Sequence, residues 1–243
     1  FINNQVRYCL WFDGVDLDEV NKIPPFKFRI NKVEESRANG GIIAKKYKKI
    51  PHRFYSVNTA ESVQILIPRH SSERRLYVPM GFLDSNYIIA DSAQAIYDPE
   101  TFVFSILNSN IHMVWFKSTA GRLKSDYRYS SALSYNTFPF PKISKHRKEE
   151  LTQCTLNILD ERSKHSEKTL AQLYDPDKMP AGLQEAHRLN DLAVERCYRS
   201  TPFNSDEERL EYLFKLYEKM IAEEKEKEAL AKKEKKTRKK TKA

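Results

Sequence analysis

The sequence predicts an α+β fold: a mixed α/β region, then a small three-helix bundle and a basic tail. Three observations carry that expectation. Between residues 62 and 97 the apolar residues come in short runs cut by proline or polar turns, which is strand patterning. From Pro141 to Ile221 they recur at helical spacing instead. Beyond Ile221, Lys, Glu and Ala take over and no apolar stripe remains to be buried.

Taken in order, Arg7-Tyr8-Cys9-Leu10-Trp11-Phe12 reads as a buried strand, and residues 26–38 as a helix ending at Gly40-Gly41. Pro51-His52-Arg53-Phe54-Tyr55 is a loop leading into β structure. Strands are expected at Ser62-Val63-Gln64-Ile65-Leu66-Ile67, stopping at Pro68, then at Leu76-Tyr77-Val78-Pro79-Met80, Tyr87-Ile88-Ile89-Ala90 and Ala95-Ile96-Tyr97. Asp98-Pro99-Glu100 predicts a helix start with Asp98 as the cap. The helix over 102–117 is apolar on most sides, hence buried, with a break near Asn108-Ser109-Asn110. Gly121 ends it, and Pro139-Phe140-Pro141 closes a first domain spanning 1–143.

A bundle domain over 144–221 follows. Its first helix buries Leu151, Cys154, Ile158 and Leu159. The second, after Met179-Pro180, buries Leu183, Ala186, Ala193, Val194 and Cys197. The third opens on the capping box Ser205-Asp206-Glu207-Glu208 and buries Leu210, Leu213, Phe214, Tyr217 and Met220. Residues 222–243 form a charged tail, helical or disordered.

Of the net charge of +9, the tail's ten Lys/Arg against five Glu supply +5, so the charge alone is a weak sign of nucleic acid. Three scattered cysteines form neither a disulfide framework nor a metal knuckle, and read as small buried thiols in a reducing cytoplasm. No run approaches the roughly 20 apolar residues of a membrane span, which predicts a soluble, cytoplasmic chain with no membrane partner. An opening at Phe1-Ile2-Asn3-Asn4, without Met or leader, predicts a segment of a longer polypeptide, and Lys239-Lys240-Thr241-Lys242-Ala243 reads as its natural end.

Catalytic machinery is not legible. The chain has no P-loop, His-Glu-x-x-His or Gly-x-Ser-x-Gly, and lacks the Asn/Asp-Pro-Pro-aromatic loop of amino-methyltransferases. No histidine has ligand spacing; His112 and His187 read as hydrogen-bonded structural residues inside helices. No catalytic residue, metal or cofactor is therefore expected in this segment.

Two polar stretches beside buried elements carry more information. They are Ile67-Pro68-Arg69-His70-Ser71-Ser72-Glu73-Arg74-Arg75 and Gly121-Arg122-Leu123-Lys124-Ser125-Asp126-Tyr127-Arg128-Tyr129-Ser130. In an extended chain, Lys124, Asp126 and Arg128 share one side, with Tyr127 and Tyr129 packing on the other. A loop that only grips phosphates gains nothing from an acid. A base-reading loop uses both signs, a cation on guanine O6/N7 and a carboxylate on the cytosine amino group. Lys124 with Asp126, and Arg69 with Asp91, suit that task; ordinary loop salt bridges are the alternative. His70, Arg74, Arg75 and Arg122 are candidates for phosphate contacts, again against loop salt bridges.

These residues resemble the C-terminal third of MmeI-type restriction-modification enzymes. Further matching motifs are Arg7-Tyr8-Cys9-Leu10-Trp11, Tyr135-Asn136-Thr137-Phe138-Pro139, Leu173-Tyr174-Asp175-Pro176 with Met179-Pro180, and Ala186-His187, in the right order from about residue 5 to 220. The resemblance implies that 1–143 is a DNA target recognition domain and 144–221 the helical domain packed on it. It implies base-reading positions at Arg69, Asp91, Ser92, Lys124, Asp126 and Arg128. It also implies a parent polypeptide that is a site-specific adenine-N6 DNA methyltransferase, with or without endonuclease activity. That parent uses S-adenosylmethionine, and its nuclease and methylation motifs lie upstream of Phe1. The expected partners are double-stranded DNA and the parent's methyltransferase domain, in a monomer. A protein-interaction module without base readout is the rival reading. Asn136 with Phe138-Pro139 is read as a domain-closing turn, and Tyr174-Asp175-Pro176 as inter-helix punctuation.

Overall fold

Pro24 and Pro25 lack backbone N–H groups, so they fit the first turn of a helix, where those donors have no intrahelical acceptor. Helix α2 (Pro24–Ala38) begins there and stops just before Gly40-Gly41, as the sequence predicts. It follows α1 (Leu17–Asn21), which the Asp16 carboxylate caps, and precedes α3 (Ile42–Lys46). The computed structural model describes the backbone of residues 1–240 and the side chains of residues 1–231. Residues 5–59 form one unit, and residues 1–4 with the chain from Ala60 onward form another.

The run 7–12 in the first unit is not the buried strand expected. It has no strand partner; it is held by two rings, Trp11 stacked on Phe54 at 5.6 Å and Phe12 against Phe26 at 5.3 Å, while Tyr8 is 95% exposed. Cys9, on the same run, is exposed rather than buried.

In the second unit, β1 (Val63–Pro68) is the most buried strand, and after Arg69 the chain continues as β2 (His70–Ser71). Strands β3 (Gly81–Asp84) and β4 (Ala93–Tyr97) flank β1, both antiparallel, with Ile65 opposite Phe82 and Ile96. Among the described residues a second antiparallel sheet, ordered β2-β6-β5, is completed by β5 (Gly121–Leu123) and β6 (Asp126–Arg128).

Two expected strands are absent for physical reasons. Around Pro79 the Met80 N–H bonds back to the Val78 carbonyl at 2.8 Å, so 78–80 is a buried turn and β3 starts only at Gly81. At 87–90, the buried Gln64 side chain takes the Asp84 and Tyr87 carbonyls at 3.0 and 2.6 Å, replacing a ladder with a side-chain clasp. Asp98 is not the helix cap either. At φ +48 it turns back and accepts from the Glu61, Ser62 and Val63 amides, which lowers its pKa and fixes the start of β1.

Helices α4 (Phe102–Leu107) and α5 (Asn110–Thr119) break where expected, with Ser109 capping α5. A π-helical turn (Ser131–Tyr135) leads to the helical layer: α6 (Lys145–Ser163), the short α7 (Leu170–Leu173), α8 (Ala181–Glu195) and α9 (Asp206–Lys240). No described helix is long and apolar enough to cross a membrane. The tail is thus helical to Lys240, and 241–243 lie outside the described residues. Ser205 caps α9 as predicted, accepting from the Glu208 amide at 3.2 Å. The layer shares one core with the first sheet and the α4–α5 pair, where Ile158, Leu183 and Ala186 pack with Ile65, Phe104 and Phe116, and a second with α4 and α5, where Leu151, Val194 and Leu213 pack with Ile106 and Trp115.

A buried polar chain runs through this interface. Arg162 donates to the Met80 carbonyl at 2.7 Å and to the Tyr174 hydroxyl; Tyr174 meets His187 Nε2 at 2.8 Å; His187 Nδ1 meets the Asn108 carbonyl at 3.3 Å. Tyr174 is therefore a core hub, not mere inter-helix punctuation. Burial pushes the His187 and His112 pKa values down to about 3, so both are neutral structural groups.

Beside this chain, Asp191 of α8 accepts from the Tyr77 hydroxyl and the Asn110 amide, each at 2.6 Å. Burial, aided by nearby Glu195, pushes its carboxyl up to about 7 against those bonds and Arg209. The folded state then holds this proton more tightly than the unfolded chain, whose Asp titrates near about 3.9. Its contribution to stability is complete below that value and is lost as pH rises towards 7. Asp191→Asn keeps the shape and removes the titration. Denaturant unfolding at stepped pH should show the wild type losing stability relative to Asp191→Asn by up to about 1.4 kcal/mol per pH unit in that window. A constant difference across it would refute the shift.

Candidate nucleic-acid interface

Arg69 is the residue at which the two sheets meet. Its N–H donates to the Ser92 carbonyl at 3.2 Å, and its own carbonyl accepts from the Tyr129 N–H at 2.7 Å. Pro68 pairs with Ala93 just before it, so Arg69 faces Ser92 across the ladder with Asp91 one residue further on. One residue's backbone thus ties together all three segments that carry the base-reading candidates.

The third segment departs from the extended chain expected. Leu123 pairs with Asp126, leaving Lys124-Ser125 as a two-residue hairpin turn, with Lys124 in the left-handed region at φ +57. Asp126 and Arg128 share a face of β6, but Lys124 stands at the hairpin tip instead of beside them. The sequence could not show this because the strand folds back on itself through a turn with neither Gly nor Asn.

What backs the hairpin is as expected. Tyr127 and Tyr129 are buried against Phe116 at 5.7 and 5.0 Å, and the Tyr129 hydroxyl meets His112 Nε2 at 3.2 Å. The opposite face is open. His70 stands directly across from Arg128, whereas its neighbour Ser71 faces Tyr127 and is buried.

The charged candidates divide into free and engaged groups. Arg69, Asp91, Lys124, Asp126 and Arg128 make no side-chain hydrogen bond or ion pair with any described residue. Asp91, Ser92, Lys124 and Arg128 are exposed, and Arg69 and Asp126 are half-buried. Among the phosphate candidates, Arg74 pairs with Asp177 at 2.6 Å; Arg122 lies over the Tyr127 ring at 4.7 Å and reaches Glu73 at 3.5 Å. Exposed pairs of this kind are worth about 0–1 kcal/mol. His70 is exposed and makes no such bond; Arg75 is half-buried, its pKa lowered by desolvation despite the pull of Asp126 and Asp175.

Charges of both signs thus stand without a side-chain hydrogen bond or ion pair on a braced hairpin and its neighbouring loop. Models of the MmeI target recognition domain and the MmeI C-terminal domain match residues 1–142 and 143–224. The chain belongs to the MmeI family, as its target recognition and C-terminal domains. It is 43% identical over 224 residues to DNA methyltransferase A of Bacillus subtilis (strain 168), a match covering 90% of this chain and 25% of that protein. Among solved structures it resembles the type IIL restriction-modification enzyme MmeI in complex with DNA: TM-score 0.86, 36% identity, 91% of this chain and 30% of that one. The chain thus spans about a quarter to a third of the length of these relatives.

The hairpin's tip and base should respond differently to mutation. Lys124→Gly relieves the left-handed backbone and should change stability by less than about 1 kcal/mol. Tyr129→Ala empties the packing beneath the hairpin and should cost about 3–5 kcal/mol, as for other large buried aromatics. Equal losses in denaturant unfolding would mean that the tip is part of the core.

Proposed function

We propose that this chain is the DNA-reading part of a longer site-specific DNA methyltransferase. It binds a short duplex site through the major groove and positions one adenine for S-adenosylmethionine-dependent N6 methylation by a domain upstream in the same polypeptide. Residues 1–143 read the site and 144–221 brace them. The reading rests on one observation: Arg69, Asp91, Lys124, Asp126 and Arg128 are held on tied backbone, and their side chains make no hydrogen bond or ion pair with a described residue. Desolvating such groups is costly unless a ligand supplies the missing donors and acceptors, and base edges supply both kinds. Ser92 stands beside Arg69 to complete the base-facing set. His70, Arg74, Arg75 and Arg122 grip phosphates around it, Arg74 and Arg122 by exchanging their surface acids for the backbone. S-adenosylmethionine belongs to the upstream domain.

Selection of the chain on a randomised duplex should enrich one short sequence, with affinity falling steeply as salt is added. Exchanging the charges, Lys124→Asp with Asp126→Lys, should change the preferred base at one position, each contact being worth about 1–3 kcal/mol or roughly ten- to a hundredfold in preference. Uniform weakening on every sequence would reduce these residues to phosphate contacts. Absence of any enriched sequence in the wild type would refute base reading.

A further inference from the structure

Helix α3 and the turn after it carry four lysines in five positions, Lys45, Lys46, Lys48 and Lys49. All four are exposed, and none of their side chains makes a hydrogen bond or ion pair with a described residue. Their unit, residues 5–59, holds eleven Lys/Arg against six Asp/Glu. Two of those acids are committed elsewhere: Asp13 to Arg53, and Asp16 to the cap of α1.

The turn is fixed in place. The Arg37 guanidinium, from α2, donates to the Tyr47, Ile50 and Arg53 carbonyls at 2.9, 2.8 and 2.7 Å. Tyr47 rests edge-on against Tyr55 at 5.4 Å, and Pro51 is buried. A half-buried arginine therefore spends its donors on holding a loop whose own cations face water. Four like charges within a Debye length of about 10 Å repel one another, and a polyanion relieves that repulsion. Ile42 and Ile43, 91% and 66% exposed, lie one turn earlier and offer apolar contact to the sugars between phosphates.

We propose that this lysine knuckle is a second DNA-binding site, which grips the phosphodiester backbone without reading sequence. Duplex DNA is favoured over a lipid surface because α3 has only five residues, too short to lay an amphipathic face into a membrane. The inference rests on the DNA-reading role proposed above, but it uses different residues in a different unit.

The test uses the whole chain. Titrating fixed-sequence duplexes over a salt series should show that Lys→Gln at 45, 46, 48 and 49 together weakens all of them alike, by about tenfold or more near 0.1 M salt. The slope of log affinity against log salt should become shallower by about 0.9 for each phosphate lost. Lys→Arg at the same four positions should restore both. The base preference found on randomised duplex should stay that of the wild type. An unchanged slope and affinity in the Gln variant overturns the knuckle, as does loss of binding to phosphatidylserine vesicles alone. A wild type that binds duplexes without preference, with the slope still shallower in the Gln variant, would sink base reading and leave the knuckle standing. No duplex binding at roughly 50 mM salt would sink both.

Discussion

A guanidinium buried without a carboxylate partner is the constraint around which the larger unit is built. Arg162 is only 8% exposed, and a charge taken out of water costs several kcal/mol unless its donors are met. Here they are met by a main-chain carbonyl just ahead of β3, by a tyrosine hydroxyl beyond α7, and by the ring faces of Phe104 and Tyr174 at 5.2 and 4.8 Å. Moving any of these elements would strand the charge. The chain of bonds then passes through His187, whose ring also stacks on Tyr77 at 4.0 Å, to a carbonyl left free by the α4–α5 break. Sheet, α6 and α8 are thereby fixed by one residue.

From that frame the path to the candidate interface is short. Asn190 of α8 reaches the Ser105 and Asn108 carbonyls, and Asp191 reaches the first amide of α5. Helix α5 in turn presents His112 and Phe116 to the two tyrosines beneath β6. The exposed side of the hairpin inherits this rigidity. Side chains on a fixed backbone lose less freedom on binding than those on a mobile loop, so more of each contact remains as affinity and discrimination. Resting charges already unpaired are also spared the cost of breaking an internal bond first.

The proposed division of labour follows from chemistry. Groups of both signs beside one another suit base edges, whereas a cluster of lysines alone suits only phosphates. The first set lies on β6 and on the turns beside the strands from Ala60 onward, and the second on the helical unit 5–59. Sequence-independent attraction and sequence choice would then reside in different residues, and each can be altered without the other.

Patterning alone determined the elements whose burial is local. The α4–α5 break at Asn108, the inward stripes of α6 and α8, the Ser205 cap and the packing of Tyr127 and Tyr129 follow from spacing and side-chain type. The candidate charges could be named because mixed signs suit base edges and the motifs carrying them resemble one family, whereas spacing alone left ordinary loop salt bridges open. Tertiary structure decided the rest. Whether 7–12 found a strand partner, whether Gln64 replaced a ladder at 87–90, whether Asp98 turned back to β1, and where the hairpin reversed at Lys124 all depend on groups distant in the chain. So did the role of Tyr174, which looks like punctuation until Arg162 and His187 arrive on either side of it. A sequence records each residue's capacity to bond, but a buried donor's choice of acceptor is made only when folding brings the candidates together and excludes water from all but one.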